Sequence, residues 1–161
     1  MTVIGVDVGG TKILARFVDP VTGAASGRVK KPTPKDGPAS VLAAVADVVD
    51  ELDPDRTADL VGIGVPGLVD GAGVVARCPN IPGWDTPVDV PGELGPRLDR
   101  TVVVGNDVNC GALAEHRIGA GQGVDDLLVV FVGTGVGGGL ILDGSLRAGC
   151  LLYTSPSPRD S

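Results

Sequence analysis

The hydrophobic positions of this chain fall into short β-branched runs closed by glycine or proline, with one longer stretch at helical spacing. Thr2 to Asp7 is such a run, leading through Val8-Gly9-Gly10 into a second at Lys12 to Asp19. Two strands joined at a Gly-Gly turn predict a hairpin. Ala24 to Lys31 extends it by a third strand, and Pro32-Thr33-Pro34 with Asp36-Gly37-Pro38 then breaks the chain. Val41, Leu42, Val45, Val48, Val49 and Leu52 share one face of a predicted helix over Val41 to Leu52, started at Ser40 or Pro38.

Leu60 to Val65 and Thr101 to Gly105 read as buried strands. The first ends at Pro66-Gly67 and the second runs into Asn106-Asp107, which opens a helix to about Ile118. Between them lie a turn at Gly71 to Gly73, an irregular loop from Cys78 to Asp85 around Trp84, and a short helix at Pro91 to Leu98. Gly119 to Gly123 reads as a flexible link. Leu127 to Val132 is a strand, Gly133 to Gly139 a glycine loop, and Leu140 to Leu142 a strand turning at Asp143-Gly144. No internal repeat is evident, although strand, glycine turn and strand occur near residue 9 and loosely again near residue 135.

Composition sharpens this picture. Gly is 26 of 161 residues, against a usual level of about 7%. Only Phe17, Trp84, Phe131 and Tyr153 are aromatic, so the core is built from Val, Leu, Ile and Ala. Such glycine in a chain that is 43% hydrophobic points to tight turns and to backbone approaching a ligand, not to disorder. The formal net charge of −7 argues against nucleic acid as a partner and against adhesion to an anionic membrane. Apolar runs fall far short of the roughly 20 residues of a spanning helix. Asp7 and Lys12 interrupt any signal-peptide pattern, so a cytoplasmic location is expected. Cys78, Cys110 and Cys150 with the single His116 form no zinc pattern and read as reduced thiols. His116, between Glu115 and Arg117 on a helix, reads as a surface residue.

Four segments carry candidate chemistry. In Asp7-Val8-Gly9-Gly10-Thr11-Lys12 a glycine turn lets backbone N–H groups face phosphate oxygens, Thr11 adds a hydroxyl donor, and Asp7 suits a Mg²⁺ ion that keeps its waters. A plain turn needs only the glycines and leaves the carboxylate, hydroxyl and amine unexplained. Gly133-Thr134-Gly135-Val136-Gly137-Gly138-Gly139 satisfies G-x-G-x-x-G, but a β-like segment follows it. It is therefore a second phosphate-cradling hairpin, not a dinucleotide crossover. No G-x-x-x-x-G-K-[S/T] occurs, which excludes a P-loop enzyme.

In Val104-Gly105-Asn106-Asp107-Val108-Asn109 a carboxylate sits where a buried strand becomes a helix, a rigid mount where the helix N-terminus favours negative charge. There it can take a proton from a hydroxyl, or simply cap the helix. The remaining asparagine, Asn80, lies in Pro79-Asn80-Ile81-Pro82-Gly83-Trp84, and neutral amides suit sugar hydroxyls. Trp84 either stacks on a sugar face or anchors its loop. Pro66-Gly67 reads as a turn that can set backbone against a ligand.

These segments, with Gly62-Ile63-Gly64-Val65-Pro66-Gly67, occur together and in order, and over Met1 to Gly149 the chain resembles the N-terminal half of a ROK-family sugar kinase, of the bacterial glucokinase kind. The resemblance implies an α/β, actin-like (ribonuclease-H-like) fold, with a first lobe over 1–118, the first strands of a second over 119–149, and ATP·Mg²⁺ between the lobes. It implies that Gly9, Gly10, Thr11 and Lys12 contact the phosphates, with Asp7 near the Mg²⁺, and that Gly133, Thr134 and Gly135 add to them. Asn80, Asn106, Asp107 and Gly67 are then expected at the sugar, with Asp107 the general base.

The implied reaction is ATP-dependent phosphorylation of a hexose, glucose first, with fructose, mannose and N-acetylmannosamine as alternatives. The implied full-length protein is a homo-oligomer with a structural zinc, whose ligands this sequence lacks. A Gly-Glu-x-Gly-His segment is expected after Gly149 and is replaced by a Ser/Pro-rich stretch, so 150–161 reads as a non-native tail. The chain is thus expected to be a half that does not turn over substrate, with the strands between Leu127 and Leu142 unpaired or mispaired and prone to association. A sugar-sensing regulator of the same family would carry a DNA-binding helix-turn-helix ahead of the hairpin, and none is expected within ten residues of Met1.

Overall fold

The alternation in the first two runs sets one buried and one open face on a sheet. The computed structural model describes residues 2–132 and 136–147. Its elements are β1 (Val3–Val8), β2 (Lys12–Val18), β3 (Ala25–Pro32), α1 (Pro38–Leu52), β4 (Leu60–Val65), β5 (Leu68–Val69), β6 (Val74–Arg77), β7 (Val88–Asp89), α2 (Val90–Leu98), β8 (Thr101–Asn106), α3 (Asp107–Ile118), β9 (Leu127–Val132), β10 (Val136–Leu142) and β11 (Ser145–Arg147). By contacts the chain divides into two units at the Asp107/Val108 junction. The sequence places the end of the first lobe at residue 118; contacts group residues 108–118 with the strands that follow.

In the first unit a five-stranded sheet runs in the order β3-β2-β1-β4-β8. β1, β2 and β3 are antiparallel neighbours, while β1, β4 and β8 are parallel. One sheet face buries Ile4, Val6, Val8, Ile13, Ala15, Val61, Ile63 and Val65 against Val41, Val45, Val48 and Val49 of α1 and Val90, Leu94 and Leu98 of α2. Each such side chain contributes roughly 1.5–3 kcal/mol. The other face is paved with glycine: Gly5 pairs with Gly62, Asp7 with Gly64, and Gly64 with Gly105. α1 begins at Pro38, whose fixed φ suits a first helical position, behind Gly37 at φ 97°. α2 is capped by the Asp89 carboxylate, which accepts from Gly92 N at 2.9 Å.

A buried ion pair joins the end of α1 to the start of β8. Arg100 Nη2 lies 2.9 Å from Asp53 Oδ2, both side chains are 2% exposed, and the same nitrogen donates to Asp53 O at 3.1 Å. Asp53 also accepts from Thr57 N, Thr57 Oγ1 and Ala58 N, each at 2.9 Å. Burial pulls its pKa up, and the Ala58 and Thr57 amides, the Thr57 hydroxyl and Arg100 outweigh that, holding the carboxyl below its ordinary range. Arg100 Nε and Nη1 are buried without a partner among the described residues.

In the second unit β9, β10 and β11 form an antiparallel sheet in the order β11-β10-β9. The strands between Leu127 and Leu142 thus pair with each other, where the sequence reading expected no proper partner. Strand β10 starts at Val136, so Gly137, Gly138 and Gly139 are strand residues and not loop. The reason is packing. A Cβ on Gly139 would lie 2.3 Å from Ala112 Cβ and one on Gly137 2.7 Å from Val108 Cγ2, so these glycines seat α3 against the strand. Gly119 to Gly123 is likewise no flexible link. Glu115 takes the amides of Gly119 and Gly121 on its carbonyl and that of Ala120 on its carboxylate, and Gly121 lies against Leu127. β5, β6 and β7 form a small antiparallel sheet that the sequence reading missed, because strands this short carry no readable alternation. Among the described residues no helix is long and apolar enough to cross a membrane. Residues 148–161, including the Ser/Pro-rich tail, lie outside the described residues.

Candidate active site

The hairpin between β1 and β2 turns through Gly9, Gly10 and Thr11, closed by Gly9 N donating to Lys12 O at 2.8 Å. Neither glycine has a positive φ, so the turn is not one of the left-handed hairpin types that the Gly-Gly pair suggests. Glycine is needed here for space. A Cβ on Gly10 would sit 3.0 Å from the carbonyl oxygen of Asn80, and one on Gly9 3.2 Å from Lys12 O. The first of these contacts brings the turn directly against the loop that carries Asn80.

That loop is closed on itself: Ile81 N donates to Cys78 O at 3.0 Å, Trp84 N to Ile81 O at 3.3 Å, and Cys78 N to Trp84 O at 3.1 Å. Trp84 is 1% exposed and belongs to the core, so it anchors the loop and is not placed to stack on a sugar. Asn80 itself is exposed. Gly67, just beyond β4, is buried, and a Cβ there would lie 2.5 Å from Arg77 O and 3.1 Å from Cys78 Sγ. The buried Asn106 side chain donates from Nδ2 to Gly67 O at 3.1 Å, tying the end of β8 to this turn.

Asp107 follows at once as the first residue of α3 and is half-buried. Its Cα and Cβ lie 3.6 and 3.9 Å from where a Cβ on Gly64 would be. Gly64 is the register partner of Asp7, which is exposed near the end of β1. The two carboxylates therefore stand on the same sheet face, on either side of a glycine that leaves the space open. Burial, and secondarily the charge of Asp107, push the Cys78 thiol up to about 12. Cys78 is thus a neutral thiol beside the site.

The expected residues Asp7, Gly9, Gly10, Thr11, Lys12, Gly67, Asn80, Asn106 and Asp107 all lie at the carboxyl ends of the parallel strands or on loops that reach them. That is where open α/β sheets bind ligands. Gly133, Thr134 and Gly135 lie outside the described residues. His116 is partly exposed on α3, with Nε2 2.9 Å from Val124 O. Three neighbours of the site escaped the sequence reading. Cys78 had been set aside with the other thiols. Thr33 Oγ1 donates to Gly9 O at 2.6 Å, and the Lys35 ammonium donates to Gly10 O. Only the Pro-Thr-Pro break marked that segment, and nothing local tied it to a turn more than twenty residues earlier.

Among the described residues no group of three His, Cys, Asp or Glu side chains could hold a metal by itself. A single exposed carboxylate, Asp7, suits Mg²⁺, which retains most of its waters.

Residues 3–151 match the model of the ROK family. The glucokinase of Thermotoga maritima is 34% identical over 155 residues, covering 92% of this chain and 47% of that protein. The N-acetylgalactosamine kinase AgaK of a Shewanella species is 36% identical over 146 residues, covering 90% and 46%. The crystal structure of a ROK family glucokinase from Streptomyces griseus in complex with glucose and AMPPNP superposes with a TM-score of 0.83 at 36% identity, over 97% of this chain and 49% of that one. The chain spans about half the length of the curated relatives it matches. With residues 3–151 of its 161 matched to the family model and its strand order set on an actin-like α/β plan, this chain belongs to the ROK family.

Proposed function

We propose that the protein containing this chain transfers the γ-phosphoryl group of ATP to a hexose hydroxyl, with glucose as the sugar and Asp107 as the general base. The observation that carries this reading is the placing of Asp107 and Asp7 on one sheet face, flanking Gly64, beside the Gly10–Asn80 contact. Phosphoryl transfer depends on positioning and charge neutralisation more than on covalent steps. The Gly9–Lys12 turn offers backbone amides and the Lys12 ammonium to phosphate oxygens. Asp7 would hold the water shell of a Mg²⁺ ion, which when bound neutralises charge on the phosphates.

Asn80 presents its exposed amide to sugar hydroxyls, and Asn106 holds the Gly67 backbone in place beside it. Asp107, fixed between a strand end and a helix start, accepts the proton of the attacking hydroxyl. An acidic protein can bind a nucleotide in this way because amides and the cation supply positive field locally.

The test is a coupled phosphorylation assay on the longer protein containing this segment, with glucose, mannose and N-acetylhexosamines compared. Asp107→Ala lowers kcat by about 10²- to 10⁴-fold while sugar binding, followed by calorimetry, survives. A kcat close to that of the parent removes Asp107 from the role of base. Absence of turnover with any hexose in the parent removes the kinase reading.

A further inference from the structure

We infer that Thr33, with Lys35, is a positioning residue that aims the amides of the Gly9–Lys12 turn, an inference that rests on the phosphate-binding reading of that turn. Three consecutive carbonyls of the turn are taken by one short segment. Thr33 Oγ1 donates to Gly9 O at 2.6 Å, the Lys35 ammonium donates to Gly10 O, and Thr33 N donates to Thr11 O at 3.1 Å. In a trans peptide the C=O and the following N–H point to opposite sides. Holding the carbonyls of residues 9, 10 and 11 toward Thr33 and Lys35 therefore turns the N–H groups of Gly10, Thr11 and Lys12 away from them. Successive amides facing one way form an anion-binding concavity. No acceptor among the described residues takes the N–H of Gly10 or Thr11.

The donor segment is itself stiff. Thr33 lies between Pro32 and Pro34, so the ring before it and the ring after it both restrict the local backbone. Its side chain is 5% exposed, one of the few buried polar groups, and its hydroxyl is spent on the turn and not on solvent. Lys35 is exposed and adds a positive charge on the carbonyl side of Gly10. The clamp thus orients a phosphate receptor before any ligand arrives, while touching no ligand itself.

The test uses the longer protein containing this segment, labelled with ¹⁵N, and compares Thr33→Val, which keeps the shape and removes the donor, with Thr33→Ser, which keeps the donor. Thr33→Val shifts the Gly10 amide resonance and weakens Mg·ATP binding by about tenfold, the worth of one hydrogen bond of the stronger kind. Glucose affinity stays within about twofold, and Thr33→Ser restores both the resonance and the Mg·ATP affinity. Lys35→Met, an exposed change that leaves the core intact, moves the Thr11 amide and keeps the clamp testable should Thr33→Val fail to fold.

Unchanged resonances at Gly10 in Thr33→Val and at Thr11 in Lys35→Met overturn the clamp. So does Thr33→Ser behaving like Thr33→Val. Disturbed amides with undiminished Mg·ATP affinity overturn the positioning role while leaving the turn as a phosphate site. Parent amides that ignore Mg·ATP, yet move in Thr33→Val, overturn the phosphate-binding reading and leave the clamp as the device that shapes the turn.

Discussion

Removing Asp53 should destabilise the chain far more than removing Arg100, although the two form one buried pair. Asp53→Ala takes away the carboxylate that accepts from Thr57 N, Thr57 Oγ1, Ala58 N and Arg100 Nη2. The guanidinium is left at 2% exposure with only the Asp53 backbone carbonyl to face. An uncompensated buried charge costs about 3–5 kcal/mol, and each orphaned neutral donor adds about 1 kcal/mol before relaxation. Even where relaxation relieves most of the donor cost, a loss of at least about 4 kcal/mol remains, a large share of the stability of any domain. Arg100→Met acts differently. It leaves the Asp53 carboxylate with three donors, and it relieves Nε and Nη1, which are buried without partners. Its net cost should be about 2 kcal/mol or less. The gap of at least about 2 kcal/mol corresponds to roughly 4–8 °C in Tm for a chain of this size. Urea unfolding at pH 7, followed by far-ultraviolet circular dichroism, reads it directly. An Arg100→Met variant that loses as much as Asp53→Ala, or more, would refute the reasoning.

Further outcomes follow from the same geometry. Gly67→Ala, whose Cβ would meet Arg77 O at 2.5 Å, should lower stability by about 1–3 kcal/mol, whereas Gly64→Ala, with ordinary contact at 3.6 Å, should change it by less than about 1 kcal/mol, as thermal melts will tell. Because the folded Asp53 carboxyl ionises below its ordinary range, its contribution is complete above about pH 4 and is lost as pH falls through the folded value. Urea midpoints measured against pH should show that acid limb in the parent and a flatter one in Asp53→Asn. Cys78, 1% exposed and with its thiol pushed up to about 12, should react with iodoacetamide at pH 8 only as fast as the chain opens. Peptide mapping by mass spectrometry of samples labelled with and without urea checks this.

The parts of the fold legible in the sequence are those written in local pattern. Leu127–Val132 is a strand at the expected limits because it is an unbroken apolar run, and Leu60–Val65 because branched apolar residues recur between its glycines. α1 shows its buried stripe at Val41, Val45, Val48 and Val49. What was illegible depends on partners distant in the chain. Gly137 and Gly139 look like loop until α3 is laid against them, and Gly10 looks like a plain turn residue until the Asn80 loop is seen to need its space. The tie from Asn106 to Gly67 spans 39 residues, and no periodicity announces a side chain reaching a carbonyl so far away. Thr33 is the sharpest case, since a hydroxyl between two prolines reads as a break and acts as a fastening. The candidate site was easier than its supports. Asp7, Asn106 and Asp107 stand at strand ends, a placement that strand prediction alone supplies, while Asn80 sits in a loop marked only by its composition.

Trp84, the only tryptophan of the chain, brings its own practical benefit. Its indole Nε1 is buried without a partner among the described residues, inside the loop whose backbone presses on Gly10. Such a fluorophore emits toward the blue and is shielded from quenchers in bulk water. Any shift of the loop that lets solvent or a new acceptor reach that nitrogen would redden its light. The protein therefore carries a built-in optical gauge at the place where a sugar is expected to meet its phosphate donor, and titrations can be followed without attaching any dye.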